Sequence, residues 1–241
     1  MAYGVTINDL ICLLGGLIPT LFWLWFWLQE DNHPEPKYVI FGTFLVGAAS
    51  TFVALPIEQY LKGMIPAGFA LILVWSLIEE ATKYAATAWS AFAAKSYDEP
   101  VDAMVYMITA SLGFAAFENV LFLIKALNAD GMAGFWLTSN IRFIGATLLH
   151  VVSSATVGAA IGLSFYKSMA TRIVYASIGL LCATGLHALF NFFILQNNGQ
   201  ESLSVFGLLW VCVIVIFLLF EEVKKVKTNQ RINNETKTIT I

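Results

Sequence analysis

The sequence predicts an all-α, polytopic integral membrane protein, a bundle of about seven transmembrane helices. Three observations carry this. The chain is 59% hydrophobic and only 12% charged, about half the charged fraction of an ordinary soluble domain. Its mean hydropathy is +0.75. Apolar runs long enough to cross a bilayer of roughly 30 Å, about 20 helical residues each, recur along the whole length. They lack the alternation of barrel strands, so the backbone must be satisfied within helices.

The first run, about 4–28, ends in the aromatic belt Trp23, Trp25 and Trp27. No basic segment precedes it and no small-residue cleavage site follows, so a retained helix is expected, not a signal peptide. The second run spans about 38–60. The third, about 65–94, is interrupted by Glu79, Glu80 and Lys83. A polar loop, Lys95-Ser96-Tyr97-Asp98-Glu99-Pro100, precedes the fourth at about 102–127, with Pro100 well suited to a helix start. The fifth run, about 135–166, holds Gly158 and Gly162, a Gly-x-x-x-Gly pair that favours close helix packing. The sixth and seventh cover about 172–196 and 203–221. Polar residues at 128–134 and 197–200 predict flexible outer loops. One membrane domain, 1–221, is expected, with a catalytic core at about 65–195 and a polar tail at 222–241.

Basic residues set the expected orientation. Lys37, Lys95, Lys167, Arg172 and the tail cations Lys224, Lys225, Lys227, Arg231 and Lys237 fall on one side, whereas Lys62 and Lys125 fall on the other. The positive-inside rule places the amino terminus outside and the carboxyl terminus in the cytoplasm of a multi-pass cell-membrane protein. Cys12, Cys182 and Cys212 all lie within spans and suggest no disulfide framework or thiol-rich metal site; they read as packing residues. No nucleic-acid partner is expected. Oligomeric state is left open.

Residues at helix ends excluded, seven ionisable residues fall inside the spans: Glu79, Glu80, Lys83, Glu118, Arg142, His150 and His187. Each costs about 2.5–3.5 kcal/mol to insert, so each is a functional-site candidate. Polar neighbours accompany them: Asn119 follows Glu118, Ser154 is four after His150, and Asn191 is four after His187. Residues four apart share a helix face. Glu80 lies 15 residues from Lys95, Glu118 17 from Val101, His150 17 from Lys167 and His187 15 from Arg172. At 1.5 Å per residue, four helices place an acid or imidazole in one layer roughly 22–26 Å from the cytoplasmic ends.

Carboxylates with two imidazoles suit the activation of water, by general base catalysis or through a metal held by His150, His187 and Glu80. Glu79 and Glu80 point about 100° apart and must have different tasks, one facing a cavity and one pairing with a cation. Lys83 is within pairing distance of either by sequence spacing. Arg142 either joins the polar layer or snorkels to the outer surface.

The motifs Glu79-Glu80-Ala81-Thr82-Lys83, Gly113-Phe114-Ala115-Ala116-Phe117-Glu118-Asn119, His150 and His187-Ala188-Leu189-Phe190-Asn191 resemble those of the PrsW intramembrane proteases. That family is related to the CAAX-prenyl-protease and bacteriocin-processing superfamily. The resemblance covers roughly 65–195, with one motif per helix. It implies proteolysis of a membrane-anchored substrate, an anti-sigma factor in regulated intramembrane proteolysis being the family's known target. It further implies that Glu79 or Glu80 activates water, that His150 and His187 help to hold it, and that Asn191 steadies the oxyanion. Glu118 stands where prenyl-protease relatives carry His. Zinc and a metal-free glutamate mechanism are both open, since the chain has no His-Glu-x-x-His motif.

The alternative is a proton- or cation-coupled transporter using the acid and imidazole layer as a relay. Repeat symmetry and broken midplane helices, the marks of many transporters, are not evident in the sequence. A scaffold that keeps its polar core only for assembly is a third reading.

Overall fold

The computed structural model describes residues 6–196 and 202–227. Its helices are α1 (Ile7–Trp27, continued by a 3-10 turn at Leu28–Glu30), α2 (Lys37–Lys62), α3 (Phe69–Ser90), α4 (Asp102–Ile141), α5 (Thr147–Leu163), α6 (Met169–Gln196) and α7 (Ser202–Lys224). A π-helical turn, Arg142–Ala146, joins α4 to α5. No strand occurs among the described residues. Helix α1 starts on a reciprocal cap: the Thr6 hydroxyl accepts from the Asp9 N–H, and the Asp9 carboxylate accepts from the Thr6 N–H.

Five segments are long and apolar enough to cross a membrane: Ile7–Glu30, Lys37–Lys62, Asp102–Leu163, Met169–Ile194 and Ser204–Lys224. The fourth and fifth expected runs both fall within Asp102–Leu163, where two helices meet at a break at Gly131. Helix α3 drops out because Glu79, Glu80 and Lys83 dilute its apolar character, and these three side chains are buried inside the protein. The loop expected at 128–134 is helical apart from one break at Gly131, whose φ of 64° lies in the left-handed region that glycine tolerates. The loop expected at 197–200 lies outside the described residues, as does the tail beyond 227. The aromatic belt is also partly core. Trp23 and Trp27 turn inward, with Trp27 stacking on Phe217 and Phe220 of α7, and only Trp25 stays exposed.

Helix α4 is the central post, packing against α1, α2 and α5. Every residue from Asp102 to Ala116 is buried. Small residues allow this approach: a Cβ added at Gly113 would collide with the Phe44 carbonyl, and one at Gly47 with the Ala110 carbonyl. Gly158 and Gly162 do the same for α5, where an added Cβ would lie 2.6 Å from the Met104 Cα or the Pro100 oxygen. Backbones this close let α3, α5 and α6 converge with α4 on one polar cluster.

Candidate active site

Four helices supply the cluster. From α3 come Glu79, Glu80 and Lys83, which are 7%, 0% and 0% exposed. Helix α4 adds Glu118 and Asn119, α5 adds His150 and Ser154, and α6 adds His187 and Asn191. Arg142 sits in the π turn that immediately precedes α5.

The two adjacent glutamates divide as their angular separation requires. Glu80 is fully occupied: Lys83 Nζ lies 2.8 Å from Oε1, His187 Nδ1 2.8 Å from the same oxygen, and the Ser154 hydroxyl donates to Oε2 at 3.0 Å. Glu79 instead lines an internal cavity of about 380 Å³, together with Glu118, Arg142, His150, His187 and Asn191. Its contacts are longer, with Lys83 Nζ at 3.4 Å and His150 Nδ1 and His187 Nε2 each at 3.8 Å from Oε2.

Each imidazole has a carboxylate on its far nitrogen. Glu118 holds His150 Nε2 at 2.9 Å, and Glu80 holds His187 Nδ1 at 2.8 Å. These partners set the tautomers, so the nitrogens facing Glu79 carry lone pairs. Lys83 Nζ lies 2.7 Å from the one on His150, a contact that an ion bound at that nitrogen would displace. His187 Nε2 and Glu79 Oε2 are then two acceptors facing one another across 3.8 Å, a gap that suits a water or a metal ion. Glu79, His150 and His187 each offer a ligand atom within 4.8 Å of the others. Two imidazoles and a carboxylate are a zinc-type donor set, so the residues fit a metal. The carboxylate in that set is Glu79, in place of the expected Glu80, whose oxygens are taken.

Arg142 does not snorkel. Its Nη2 donates to Glu118 at 2.6 Å, its Nε donates to Asn119 Oδ1, and its guanidinium lies 4.1 Å above the Phe122 ring. Asn119 in turn donates to the Thr147 hydroxyl at 3.1 Å. Lys83 also sits 4.6 Å over the Phe114 ring.

Sequence reasoning missed Glu58. It lies near the end of α2, where an acid passes for an ordinary helix-end residue. In the fold it lines the cavity, and its Oε1 is buried without a partner. Trp75, which donates its indole N–H to the Glu58 carbonyl at 3.1 Å, is its neighbour in the wall. A second, shallower cavity of about 500 Å³ between α2, α3 and α4 shares Leu55, Glu58 and Trp75 with the first.

A helical membrane protein that gathers carboxylates and imidazoles around an internal cavity has the equipment of a membrane-embedded hydrolase. The model of the PrsW family intramembrane metalloproteases matches residues 35–220, and the chain belongs to that family. It is similar to Protease PrsW of Bacillus subtilis (strain 168), with 24% identity over 81% of this chain and 89% of that one. Protease PrsW of Geobacillus kaustophilus is 28% identical over 76% of this chain and 80% of its own. For Protease PrsW of Oceanobacillus iheyensis the identity is 24%, over 92% and 98%. No solved structure matches. The chain is therefore a multi-pass membrane protease, a hydrolase whose substrates lie in the bilayer.

Proposed function

We propose that this protease hydrolyses a peptide bond of a membrane-anchored protein within the α3–α6 cavity, with Glu79 as the carboxylate that acts on water. The observation that carries this is the geometry around Glu79: it is the α3 glutamate that faces the cavity, opposite the lone pair of His187 Nε2 at 3.8 Å. A zinc ion held by Glu79, His150 and His187 would supply an acidified water and polarise the scissile carbonyl.

The chain's own residues do the rest. Glu80 fixes the His187 ring and neutralises Lys83, and Glu118 fixes the His150 ring while Arg142 neutralises Glu118. Removing one of these partners leaves the other as an uncompensated buried charge, so the pairs hold the cavity's shape. Without an ion held there, Glu79 itself takes a proton from water and passes it toward the leaving amine. Asn191, one turn after His187 on the cavity wall, is placed to donate to the developing oxyanion. The substrate's unwound segment reaches the cavity from the α2–α4 groove past Leu55, Glu58 and Trp75. We extend the reading to seven membrane crossings, α3 included, with the amino terminus outside, and to a substrate of the anti-sigma type.

The test is a survey of new protein termini in host membranes carrying wild type or Glu79→Gln at matched expression. Fragments of membrane proteins present only with wild type support the reading. Identical termini with both proteins folded and inserted overturn it.

A further inference from the structure

We propose that Asp31, Glu35 and Asp102 form a binding site for a hard divalent cation, separate from the catalytic cluster and independent of the protease reading. The three carboxylates come from the α1–α2 connection and from the first residue of α4. One oxygen of each lies within 4.8 Å of the others. Asp102 is 16 positions before Glu118 on α4, which separates the two sites by about 24 Å along the helix.

The burial makes this more than an acidic surface patch. Asp31 is 6% exposed and Asp102 0%. Each has one oxygen capped by backbone: Asp31 Oδ1 accepts from the His33 N–H at 2.8 Å, and Asp102 Oδ2 accepts from the Asp98 and Glu99 N–H groups at 2.8 Å. The remaining oxygens, Asp31 Oδ2 and Asp102 Oδ1, are buried without a partner. Glu35 accepts from the Tyr106 hydroxyl, which is itself 2.7 Å from the Ser96 hydroxyl.

Among the described residues no Lys or Arg forms an ion pair with any of the three. His33 is committed to Glu99 at 3.2 Å, and Lys224 to Glu30 at 3.1 Å and Glu221 at 2.9 Å. Lys37 lines the neighbouring cavity without pairing with them. Buried carboxylates without a counter-charge must be neutralised, either by a proton or by a coordinated cation. The donor set is all oxygen, which favours calcium or magnesium over zinc or copper. Oxygens on opposite sides of a calcium ion are about 4.6–5.2 Å apart and of magnesium about 4.0–4.2 Å. Oxygens that all lie within 4.8 Å of one another are compatible with either ion. A cavity of about 510 Å³ that includes Asp31 and Glu35 in its wall provides the approach. A bound ion would clasp the α1–α2 connection to the start of the helix that carries Glu118.

The experiment uses the full-length protein in detergent, stripped with chelator and titrated with Ca²⁺ alone or Mg²⁺ alone. Thermal unfolding followed by tryptophan fluorescence and binding followed by calorimetry are the readouts. Wild type and Glu79→Gln should bind one ion with a rise in Tm, whereas Asp31→Asn and Glu35→Gln should weaken binding at least tenfold. Asn at 31 still accepts from the His33 N–H, so that variant tests the ion and spares the turn. Neither ion binding wild type, or binding that survives both substitutions, would overturn the site. Binding lost in Glu79→Gln and kept in Asp31→Asn would move the ion to the catalytic cluster and equally overturn it.

Discussion

Replacing Glu79 and Glu80 one at a time by Gln separates chemistry from architecture. Glu80 is 0% exposed and its Oε1 is 2.8 Å from Lys83 Nζ, which is itself 0% exposed. Gln keeps the shape but leaves the buried ammonium short of a counter-charge, a loss of roughly 3–5 kcal/mol when a buried pair is broken. Glu79, 3.4 Å from the same Nζ, remains as a partner, which holds the loss near about 3 kcal/mol. In a chain of this size 1 kcal/mol moves Tm by about 2–4 °C, so Glu80→Gln should melt about 6–12 °C lower. Glu79→Gln leaves the Lys83–Glu80 pair intact and should melt within about 2 °C of wild type. Its cleavage should nevertheless fall by at least about 100-fold, the lower end of what a positioned proton-transfer group contributes. Thermal scanning of both variants in detergent, beside cleavage of a transmembrane reporter, gives the two readouts. A Glu79→Gln protein that keeps cleaving but melts far below Glu80→Gln would refute the division of labour.

Arg142→Leu should lower cleavage by about 10–100-fold, because Glu118 loses the guanidinium that holds it against His150; Arg142→Lys should recover only part, having no fork to reach both Glu118 and Asn119. A reporter assay with the three forms checks this. Stripping metal with a zinc chelator should abolish cleavage and added Zn²⁺ should restore it, whereas full activity in metal-free enzyme would leave the Glu79, His150 and His187 cluster as a metal-free acid–base site. Gly113→Leu should reduce folded yield and cost more than the ~1–3 kcal/mol typical of overpacking, since its side chain meets the α2 backbone. The control Gly42→Ala, whose Cβ meets nothing within 4 Å, should be neutral in the same thermal scan. Glu58→Gln should raise KM for the reporter with kcat nearly unchanged, the signature of a wall residue that touches substrate outside the reacting bond.

Membrane class, helical architecture and the candidate acids and imidazoles are all legible in the sequence. These follow from hydropathy and from the cost of placing charge in lipid, both of which act residue by residue. It also determined that Glu79 and Glu80 must differ, since neighbouring residues on a helix cannot face the same way. Which glutamate faces the cavity emerges only in the folded bundle, because helix rotation is set by packing against α2, α4, α5 and α6. The same holds for Arg142, turned inward by Glu118 and Asn119 through a π turn that no spacing announces. Glu58 was invisible for a related reason: an acid near a helix end is ordinary until the α2–α4 crossing at Gly47 and Gly113 brings it to the cavity wall. Asp31 and Glu35 are neighbours in sequence, but Asp102 lies 67 positions after Glu35, and all three lie in or beside loops. Their cluster exists only because α1, α2 and α4 pack closely enough for their ends to meet.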